Sequence, residues 1–553
     1  MRCGRNATFS IQFSSLFWLV SFLLFKQLGA QTSSQTEPYI AEAQQYYIAN
    51  WKKSVRILTH DSADFIGLPY PYSTPTLAGN QMFREMYYWD SYFINKGLIA
   101  YHNYALQETQ AAALKSNPDK YPIFPHLPSQ HPIGLFRHPK SAAEGNAIES
   151  ESLLQAINNC NNLIYLVDRF GFVPNANRFS MTNRSQPPLL AAMVNDIFDV
   201  TGDTAWLCVA LKALEKEHHW WMENRALGLT PQEYQGIGRA QKTPTALRLN
   251  HYDNNASDAF LLRFAQFLKG RLGPGFDSIY SELNRDTLIS REGKKQGKGI
   301  LLSDHLLAEA ESGWDFTTRF NARCLFIAPL DLNCLLYLSE KTLANGYKTL
   351  KEQKKSREWR QRSNLRKALI NKLFYDKHTG WYWDYDIAKR VIHFNHNAAQ
   401  FMPYFVGLAK HNSQNKTALF RLSNTYIGKF GVYPCLPLSK DSSAIAANRV
   451  FWKTQWDSPN TWPPLTYFAA QAIRNYSNGQ GKLTNLMLNM KRNQLIVSFM
   501  ESVEVQFAIT QKFWEKYNID YCTLQVVNEY PMPDFFGWTA GVYMEYRIEF
   551  EGH

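Results

Sequence analysis

Along most of the chain, apolar residues recur at the spacing that places them on one face of a helix. One helix is predicted by apolar residues spaced i, i+3, i+4 and i+7, namely Leu190, Met193, Val194 and Ile197. The stretch Thr201–Asp203, with a glycine at its centre, is expected to end this helix and to open the next. Similar stripes cover Leu330–Leu338 and Ser356–Phe374, whereas strand-like alternation is scarce. The pattern therefore predicts a mainly α-helical protein.

One long stretch interrupts this pattern. From about residue 107 to 155 the chain is rich in proline, serine and histidine, which indicates an irregular insertion. Length alone would allow several domains, whereas many helix pairs around one centre would make a toroid, and residues 31–553 would then form one domain.

The first 30 residues have the features of a secretory signal peptide. Arg2 and Arg5 precede the apolar run Ile11–Phe25, and Leu28–Ala30 offers a cleavage site. Polar residues interrupt the run, and no comparable run follows it, so no stable membrane insertion is expected. The sequence therefore predicts a secreted, extracellular protein. Four glycosylation triplets fit the same route and begin at Asn183, Asn255, Asn415 and Asn475.

The composition indicates which classes of partner the protein is expected to bind. The 553 residues carry a net charge of +12, but the basic residues are scattered and their densest runs lack interleaved aromatic residues. We therefore expect no nucleic-acid partner. The chain has 15 Trp, 30 Tyr and 35 Phe, and such rings suit the apolar faces of sugars as well as a protein core. The cysteines are far apart without a C-x-x-C pair, which argues against zinc.

The strongest candidate for acid chemistry is Asp315, which lies between Trp314 and Phe316. An acid held against apolar rings tends to keep its proton, and this suits a proton donor to a glycosidic oxygen. Gly313 would allow a backbone or a ligand to come close. If this stretch is helical, Arg319 lies one turn later and should face the same side as Asp315.

Several further clusters combine polar, aromatic and turn residues. They are Phe83–Tyr92, Val173–Arg178 with Asn183–Pro188, Glu311–Phe320, Gln455–Pro464, Asn528–Tyr530 and Phe536–Gly541. Amides and arginine donate hydrogen bonds to hydroxyl groups, carboxylates accept them, and Trp and Tyr offer flat faces. Such residues suit a carbohydrate site, and they are also compatible with packed helix ends.

Together these clusters resemble the trehalase family, glycoside hydrolase family 37. Phe83–Tyr92 is similar to the first trehalase signature and Gln455–Trp462 to the second, and linking segments such as Gly380–Tyr385 agree in order. The resemblance spans nearly the whole chain after the signal segment. It implies an all-α fold, the (α/α)6 barrel, and hydrolysis of α,α-trehalose to two glucose molecules with inversion.

The resemblance also implies roles for individual residues. Asp315 matches the family's general acid and Glu529 its general base, and inversion requires about 6.5–9.5 Å between the two carboxyl groups. The implied substrate-binding residues are Phe83, Tyr87, Trp89, Asp90, Asn175, Arg184, Gln186, Gly313 and Trp456. The resemblance implies no metal ion and no organic cofactor.

Three departures from the family pattern predict weakened activity. Met82 stands where trehalases have a sugar-binding arginine, and the family's Arg-Pro-Glu-Ser segment has no equivalent after Leu249–Asp253. Leu524–Asn528 replaces a glycine-rich lid. Two other hypotheses therefore stay open: a non-catalytic, trehalase-like sugar-binding protein, and an inverting glycosidase of altered specificity.

Overall fold

The structure is a computed structural model that describes residues 40–116, 150–237, 248–272, 302–436, 454–477 and 483–551. The predicted signal segment 1–30 lies outside the described residues, as does 117–149 of the predicted insertion. Both ends of that insertion are helical, since one helix runs on to Ser116 and another begins at Glu151. The Ser150 side chain accepts a hydrogen bond from the backbone N–H of Leu153, and this cap fixes the second start.

Helices make up most of the described chain. They are α1 (40–50), α2 (Tyr88–Ser116), α3 (Glu151–Phe170), α4 (Leu190–Thr201), α5 (Thr204–Asn224), α6 (Pro231–Tyr234), α7 (Asp258–Leu272), α8 (Leu302–Ser312), α9 (Leu330–Thr349), α10 (Gln353–Leu373), α11 (Met402–Phe405), α12 (Ser413–Tyr426), α13 (Pro463–Ser477), α14 (Leu483–Thr510) and α15 (Gly537–Glu551).

The helix boundary predicted at Thr201–Asp203 is confirmed. Gly202 takes the left-handed conformation, with φ at 63°, and its N–H returns to the carbonyl of Phe198. Asp203 then caps α5 by accepting hydrogen bonds from the N–H groups of Ala205 and Trp206. The glycine and the aspartate together reverse the chain within three residues.

Six of the described helices form a closed ring. Each of α2, α4, α9, α11, α13 and α15 packs against the next, and α15 returns to α2. The outer helices α3, α5, α10, α12 and α14 pack against this ring. Helix α1 joins them through ring contacts of Tyr46 with Phe507 and of Tyr47 with Tyr101. The expected (α/α)6 barrel is therefore confirmed.

The inner and outer helices differ in sequence because they differ in surroundings. Every residue of α13 except Arg474 is buried, since neighbours cover this inner helix on all sides. On the outer helix α10 only six residues are buried, and the rest of its surface is charged. Among the described helices, none combines enough length with enough hydropathy to cross a bilayer.

Strands are short and pair antiparallel, as the scarcity of alternation predicted. The pairs are β1 (Val55–Arg56) with β2 (Tyr72–Ser73), β3 (Ala226–Gly228) with β4 (Arg248–Asn250), β5 (Ile327–Ala328) with β8 (Asp384–Asp386), β6 (Tyr375–Asp376) with β7 (Trp381–Tyr382), β8 with β9 (Val391–His393), and β10 (Asn460–Thr461) with β11 (Tyr517–Asn518). Asn460 lies opposite Asn518, which joins the segment before α13 to the segment before α15.

The four predicted glycosylation triplets differ in accessibility. Asn475 is buried and donates hydrogen bonds to the carbonyls of Tyr404 and Phe405, and Asn415 is also buried. Asn255 is exposed. Of these three asparagines, only Asn255 is exposed in the folded domain.

Candidate active site

The predicted site segments lie beside the starts of inner helices. Residues 83–87 precede α2, residues 175–186 precede α4, and residues 313–320 lie between α8 and α9. Residues 454–462 precede α13, and residues 525–536 precede α15. Because outer helices return the chain between them, the inner helices of the ring run in one direction. Their amino-terminal ends therefore gather these segments at one end of the barrel.

Asp315 lies just beyond the carboxyl terminus of α8. Gly313 has a φ of 74°, and a Cβ atom at this position would lie 2.9 Å from Cζ2 of Trp89. Glycine therefore allows the Trp89 ring to pack directly on the backbone. Trp314 and Phe316 are buried on either side of Asp315, whereas Asp315 itself is only partly buried. Its carboxyl group is thus held at the edge of an aromatic surface.

Trp456 is the centre of this aromatic surface. Its ring stacks on Trp462 at 3.9 Å and on Trp314 at 5.6 Å, and it also meets Trp89 at 5.6 Å. The backbone N–H of Trp456 donates to the carbonyl of Phe316. The segment before α13 is therefore attached directly to the residue that follows Asp315.

Glu529 is held by the same segment. The amide Nε2 of Gln455 donates to Oε2 of Glu529 over 2.7 Å. Asn460 then fixes the nearby backbone, because its Nδ2 donates to the carbonyl of Val527 and its Oδ1 accepts from the N–H of Val527. This two-way contact fastens the glycine-free segment Leu524–Asn528 to the site.

Tyr530 follows Glu529 in the chain, and its hydroxyl group feels the charges of both Glu529 and Asp315. Burial raises the pKa of Tyr530 well above its usual value, and Glu515, which accepts a hydrogen bond from the Tyr530 hydroxyl, adds to the rise. The charges of Glu529 and Asp315 raise it further. Both candidate catalytic carboxylates therefore act on a single hydroxyl group.

Phe83 and Tyr87 extend the aromatic surface toward Tyr530. The ring of Phe83 lies 5.7 Å from Tyr87 and 5.2 Å from Tyr530. Phe83 has a φ of 53°, a backbone conformation that residues other than glycine rarely adopt. The backbone is therefore strained where it places this ring.

The first turn of α2 contributes Trp89 and Asp90. The backbone N–H of Trp89 donates to Oε1 of Gln186, which connects α2 to the segment before α4. Asp90 is buried, and burial is the main reason why its pKa rises to about 8, with the charges of Glu515 and Asp315 adding to the shift. Asp90 is thus largely protonated at neutral pH and can donate a hydrogen bond to a hydroxyl group.

Asn175 and Arg184 differ in what they can offer a ligand. Asn175 directs its amide donors to the backbone carbonyls of Ser185 and Ala310 and so holds the site segments together. Burial lowers the pKa of Arg184, and the charge of Asp315 is the largest effect that opposes this. The guanidinium therefore interacts electrostatically with the candidate acid, while its Nη1 donates to Oδ1 of Asn183.

The loop before Phe83 is built around Arg56 rather than around an arginine at position 82. Nη2 of Arg56 donates to the carbonyls of Ala78 and Asn80 over 3.1 and 3.2 Å. Met82 is partly buried and is held by its backbone N–H, which donates to Oδ1 of Asn80. The nearby cation is therefore used to shape the loop.

A buried ion pair occupies the region of the missing Arg-Pro-Glu-Ser segment. Arg225 donates to both carboxylate oxygens of Glu311, and both side chains are fully buried. Glu311 also accepts hydrogen bonds from the backbone N–H groups of Ser185 and Asp253, each over 2.8 Å. Asn255 accepts one from Arg225. This pair ties three site segments together instead of presenting an arginine to a sugar.

The expectation that Arg319 faces the same side as Asp315 is wrong. Residues 313–320 are not helical, and Phe316 has a φ of 60°. Arg319 is fully buried and forms paired hydrogen bonds of 2.9 to 3.0 Å with Asp331 and Asp384. It stabilises the loop from beneath the site.

Sequence reasoning assigned no role to four further residues at the site. They are Gln455, Glu515, Lys516 and Tyr530, which form one hydrogen-bonded group next to Glu529. Gln455 and Tyr530 lie in segments whose polar and aromatic composition already indicates a site, so these two residues were open to prediction. Glu515 and Lys516 belong to no such segment, and only the fold brings them to the site.

Glu309 is a further buried carboxyl group, in the helix α8 that precedes Asp315. It is fully buried, and neither of its oxygens makes a well-formed hydrogen bond within the described chain. Burial raises its pKa well above the usual value, and the charges of Asp315 and Asp457 contribute, although the backbone N–H groups of Thr317 and Phe316 oppose the rise. Burial therefore favours the protonated form of the Glu309 side chain in the folded protein.

We expect the replacement Glu309→Gln to stabilise the protein at neutral and alkaline pH. Above the ordinary range of glutamate, unfolding releases a proton from Glu309, so wild-type stability falls as pH rises toward the raised folded pKa. The neutral amide removes this penalty, so the free energy of unfolding should increase by about 1–3 kcal/mol at pH 8 and little at pH 4. Denaturant titrations at both pH values measure it, with the exposed Glu42→Gln as control. An equal effect at both pH values would contradict a protonated Glu309.

Comparison with known proteins identifies the family of the chain. The family model described as Trehalase matches residues 25–121 and 145–550. A periplasmic trehalase of Xanthomonas oryzae pv. oryzae is 28% identical over 507 residues, covering 89% of this chain and 70% of its own length. A periplasmic trehalase of Salmonella newport is 27% identical over 488 residues, covering 86% and 68%.

Among solved structures, the fold is similar to that of neutral trehalase Nth1 from Saccharomyces cerevisiae. The TM-score is 0.57 at 20% sequence identity, over 92% of this chain and 80% of the other. A GH63 mannosylglycerate hydrolase from Thermus thermophilus matches with a TM-score of 0.50 at 13% identity, over 92% and 99%. These structures support the barrel, and the match of the family model to most of the sequence establishes that this chain belongs to the trehalase family.

Proposed function

We propose that the protein hydrolyses α,α-trehalose to two glucose molecules with inversion, using Asp315 as general acid and Glu529 as general base. The observation that supports this assignment is that one segment contacts both candidates, because Gln455 donates to Glu529 while the backbone N–H of Trp456 donates to the carbonyl of Phe316, next to Asp315. The trehalase family supports trehalose as the substrate, and relatives that cover most of this chain are named trehalases.

In the proposed reaction, Asp315 donates its proton to the oxygen that bridges the two sugars. The bond from that oxygen to one anomeric carbon breaks, while a water molecule attacks the same carbon from the opposite face. Glu529 accepts the proton that this water loses. One glucose therefore forms with inverted configuration, and the departing glucose keeps its own.

The surrounding side chains suit the two sugar rings. Tyr87 and Phe83 are only partly buried and can offer their rings to a sugar, whereas Trp89 and Trp456 are buried and form the aromatic wall behind them. We propose that Arg184 donates to sugar hydroxyl groups and assists in holding the charge of Asp315 after proton transfer. The amides of Asn175 and Gln186 mainly shape the wall, because each already contacts the backbone.

We also propose that the protein is exported. The relatives from Xanthomonas and Salmonella are named periplasmic trehalases, and the predicted signal segment 1–30 gives a route across the cytoplasmic membrane. A secreted, extracellular location remains the finer proposal.

The proposed function predicts equal initial amounts of α-glucose and β-glucose from trehalose. Inversion gives one β-anomer, and the departing sugar is released as the α-anomer. Proton NMR spectra recorded before the anomers equilibrate measure this ratio directly. Initial release of the α-anomer alone would contradict the proposal, because it would indicate retention of configuration.

Two alternatives follow from Met82 and from the use of Asn255 to anchor Arg225. A non-catalytic sugar-binding protein would give calorimetric binding of trehalose without any glucose. A glycosidase of altered specificity would cleave another α-linked disaccharide faster than trehalose. A panel containing trehalose and the α-linked glucose disaccharides therefore separates the three hypotheses.

A further inference from the structure

Lys516 is a fully buried cation next to the candidate base. Its Nζ donates to Oε2 of the neighbouring Glu515 over 2.6 Å, and it lies 4.6 Å from the ring of Trp462. The exposed fraction of the Lys516 side chain is 0%. A buried ammonium is stable only where anionic and aromatic partners replace water, and both are present here.

The Gln455 amide lies between this cation and Glu529. Its Oε1 accepts from Nζ of Lys516 over 3.5 Å, while its Nε2 donates to Glu529 over 2.7 Å. Lysine has only donors and an ionised carboxylate has only acceptors. Turning the amide over would place two donors together at Lys516 and two acceptors together at Glu529. Both neighbours therefore select the same orientation of the amide.

The other members of this group already use their hydrogen-bonding atoms on one another. Gln455 is therefore the residue that connects Lys516 to Glu529. Glu515 accepts from Lys516 through one carboxylate oxygen and from the hydroxyl of Tyr530 through the other. The backbone carbonyl of Gln455 accepts from Nδ2 of Asn460 and from Nε1 of Trp462, which fixes the main chain. The side-chain amide can thus act as a rigid link.

We propose that Lys516 and Gln455 are positioning residues that keep Glu529 ionised and oriented to act as the general base. A hydrogen bond to the charged form of a carboxylate favours that form, and the amide carries the influence of the buried ammonium to Glu529. This inference rests on the proposed function. The other charged or titratable groups around this network are Glu515, Tyr530, Asp315 and Asp90.

The first test replaces Gln455 by methionine, which keeps its length and removes its donor. We expect the acidic limb of the kcat/KM profile for trehalose to move up by about one pH unit, because a hydrogen bond to a charged group is lost. We expect kcat to fall by about tenfold or more, with KM changed by less than about threefold. Gln455→Glu should move the limb at least as far, since it places a second carboxylate beside Glu529.

The second test asks whether Lys516 acts through Gln455. Lys516→Gln should move the acidic limb in the same direction, whereas Lys516→Arg keeps the cation and should move it less. In the double variant with Gln455→Met, the loss should not exceed that of Gln455→Met alone by more than about twofold, because both changes break one link. Losses that multiply would overturn the role of Lys516.

The outcomes for the two proposals can be told apart. No turnover of trehalose by the unchanged protein would refute the proposed function. Normal turnover with an unshifted acidic limb in Gln455→Met and Gln455→Glu would overturn this inference alone. If Lys516→Gln does not fold, the Gln455 variants and Lys516→Arg still decide the question.

Discussion

Replacement of Asp315 by asparagine will lower the rate of trehalose hydrolysis by about 10²–10⁴-fold, the usual contribution of a general acid. Asparagine has nearly the same shape, so Trp314 and Phe316 can keep their packing while the transferable proton is lost. Glu529→Gln should cause a loss of similar size, because the amide cannot accept a proton from water. Glucose release under saturating trehalose measures both effects.

The two carboxyl groups can then be distinguished by changing the leaving group. Fluoride departs without being protonated, so Asp315→Asn should retain most of its activity toward α-glucosyl fluoride. Glu529→Gln should lose activity toward both substrates, since each requires an activated water molecule. Equal losses of the Asp315 variant on both substrates would refute its role as the acid.

A matched control is available at the other end of the barrel. Asp203 is exposed and caps α5, just after the carboxyl end of the inner helix α4. Asparagine is as good a cap as aspartate, so Asp203→Asn should keep both the fold and the activity. It is the same chemical change at a distance from the amino-terminal ends of the inner helices.

The sequence predicted the parts of the fold that depend on local chemistry. Gly202 and Asp203 mark a helix boundary because a left-handed residue and an N-cap are local requirements. The closure of the ring was not predictable from periodicity, because the sequence of an inner helix such as α13 does not tell which helices bury it. The barrel was instead predicted from the resemblance to the family.

The site was predicted where its residues are adjacent in sequence to unusual motifs. Gly313 and Trp456 are examples, and the structure places both against the same aromatic surface. Arg319 was misinterpreted because helical spacing was assumed for a segment whose residue Phe316 has a positive φ. The ion pair between Glu311 and Arg225 could not be predicted from the sequence, since only the tertiary fold brings these two residues together.

Arg319, like Arg225, meets its partners only in the folded protein, and replacing it by methionine should cause a large loss of stability. Arg319 is the buried cation between Asp331 at the start of α9 and Asp384 in β8, and both carboxylates are themselves buried. Removing it leaves two uncompensated negative charges, so the free energy of unfolding should fall by about 3–5 kcal/mol. Denaturant or thermal unfolding at neutral pH measures the loss.

Two further variants make this prediction specific to the geometry of the guanidinium. Arg319→Lys should recover only part of the loss, because one ammonium cannot make paired hydrogen bonds with both carboxylates. The exposed Arg357→Met on α10 should change stability by no more than about 0.5 kcal/mol. If Arg319→Met were as stable as the unchanged protein, burial of this cation would not be what anchors the Asp315 loop. Because that loop ends at Arg319, a confirmed loss would show that the segment carrying the acid is tied to the fold by a buried ion pair that contributes strongly to stability.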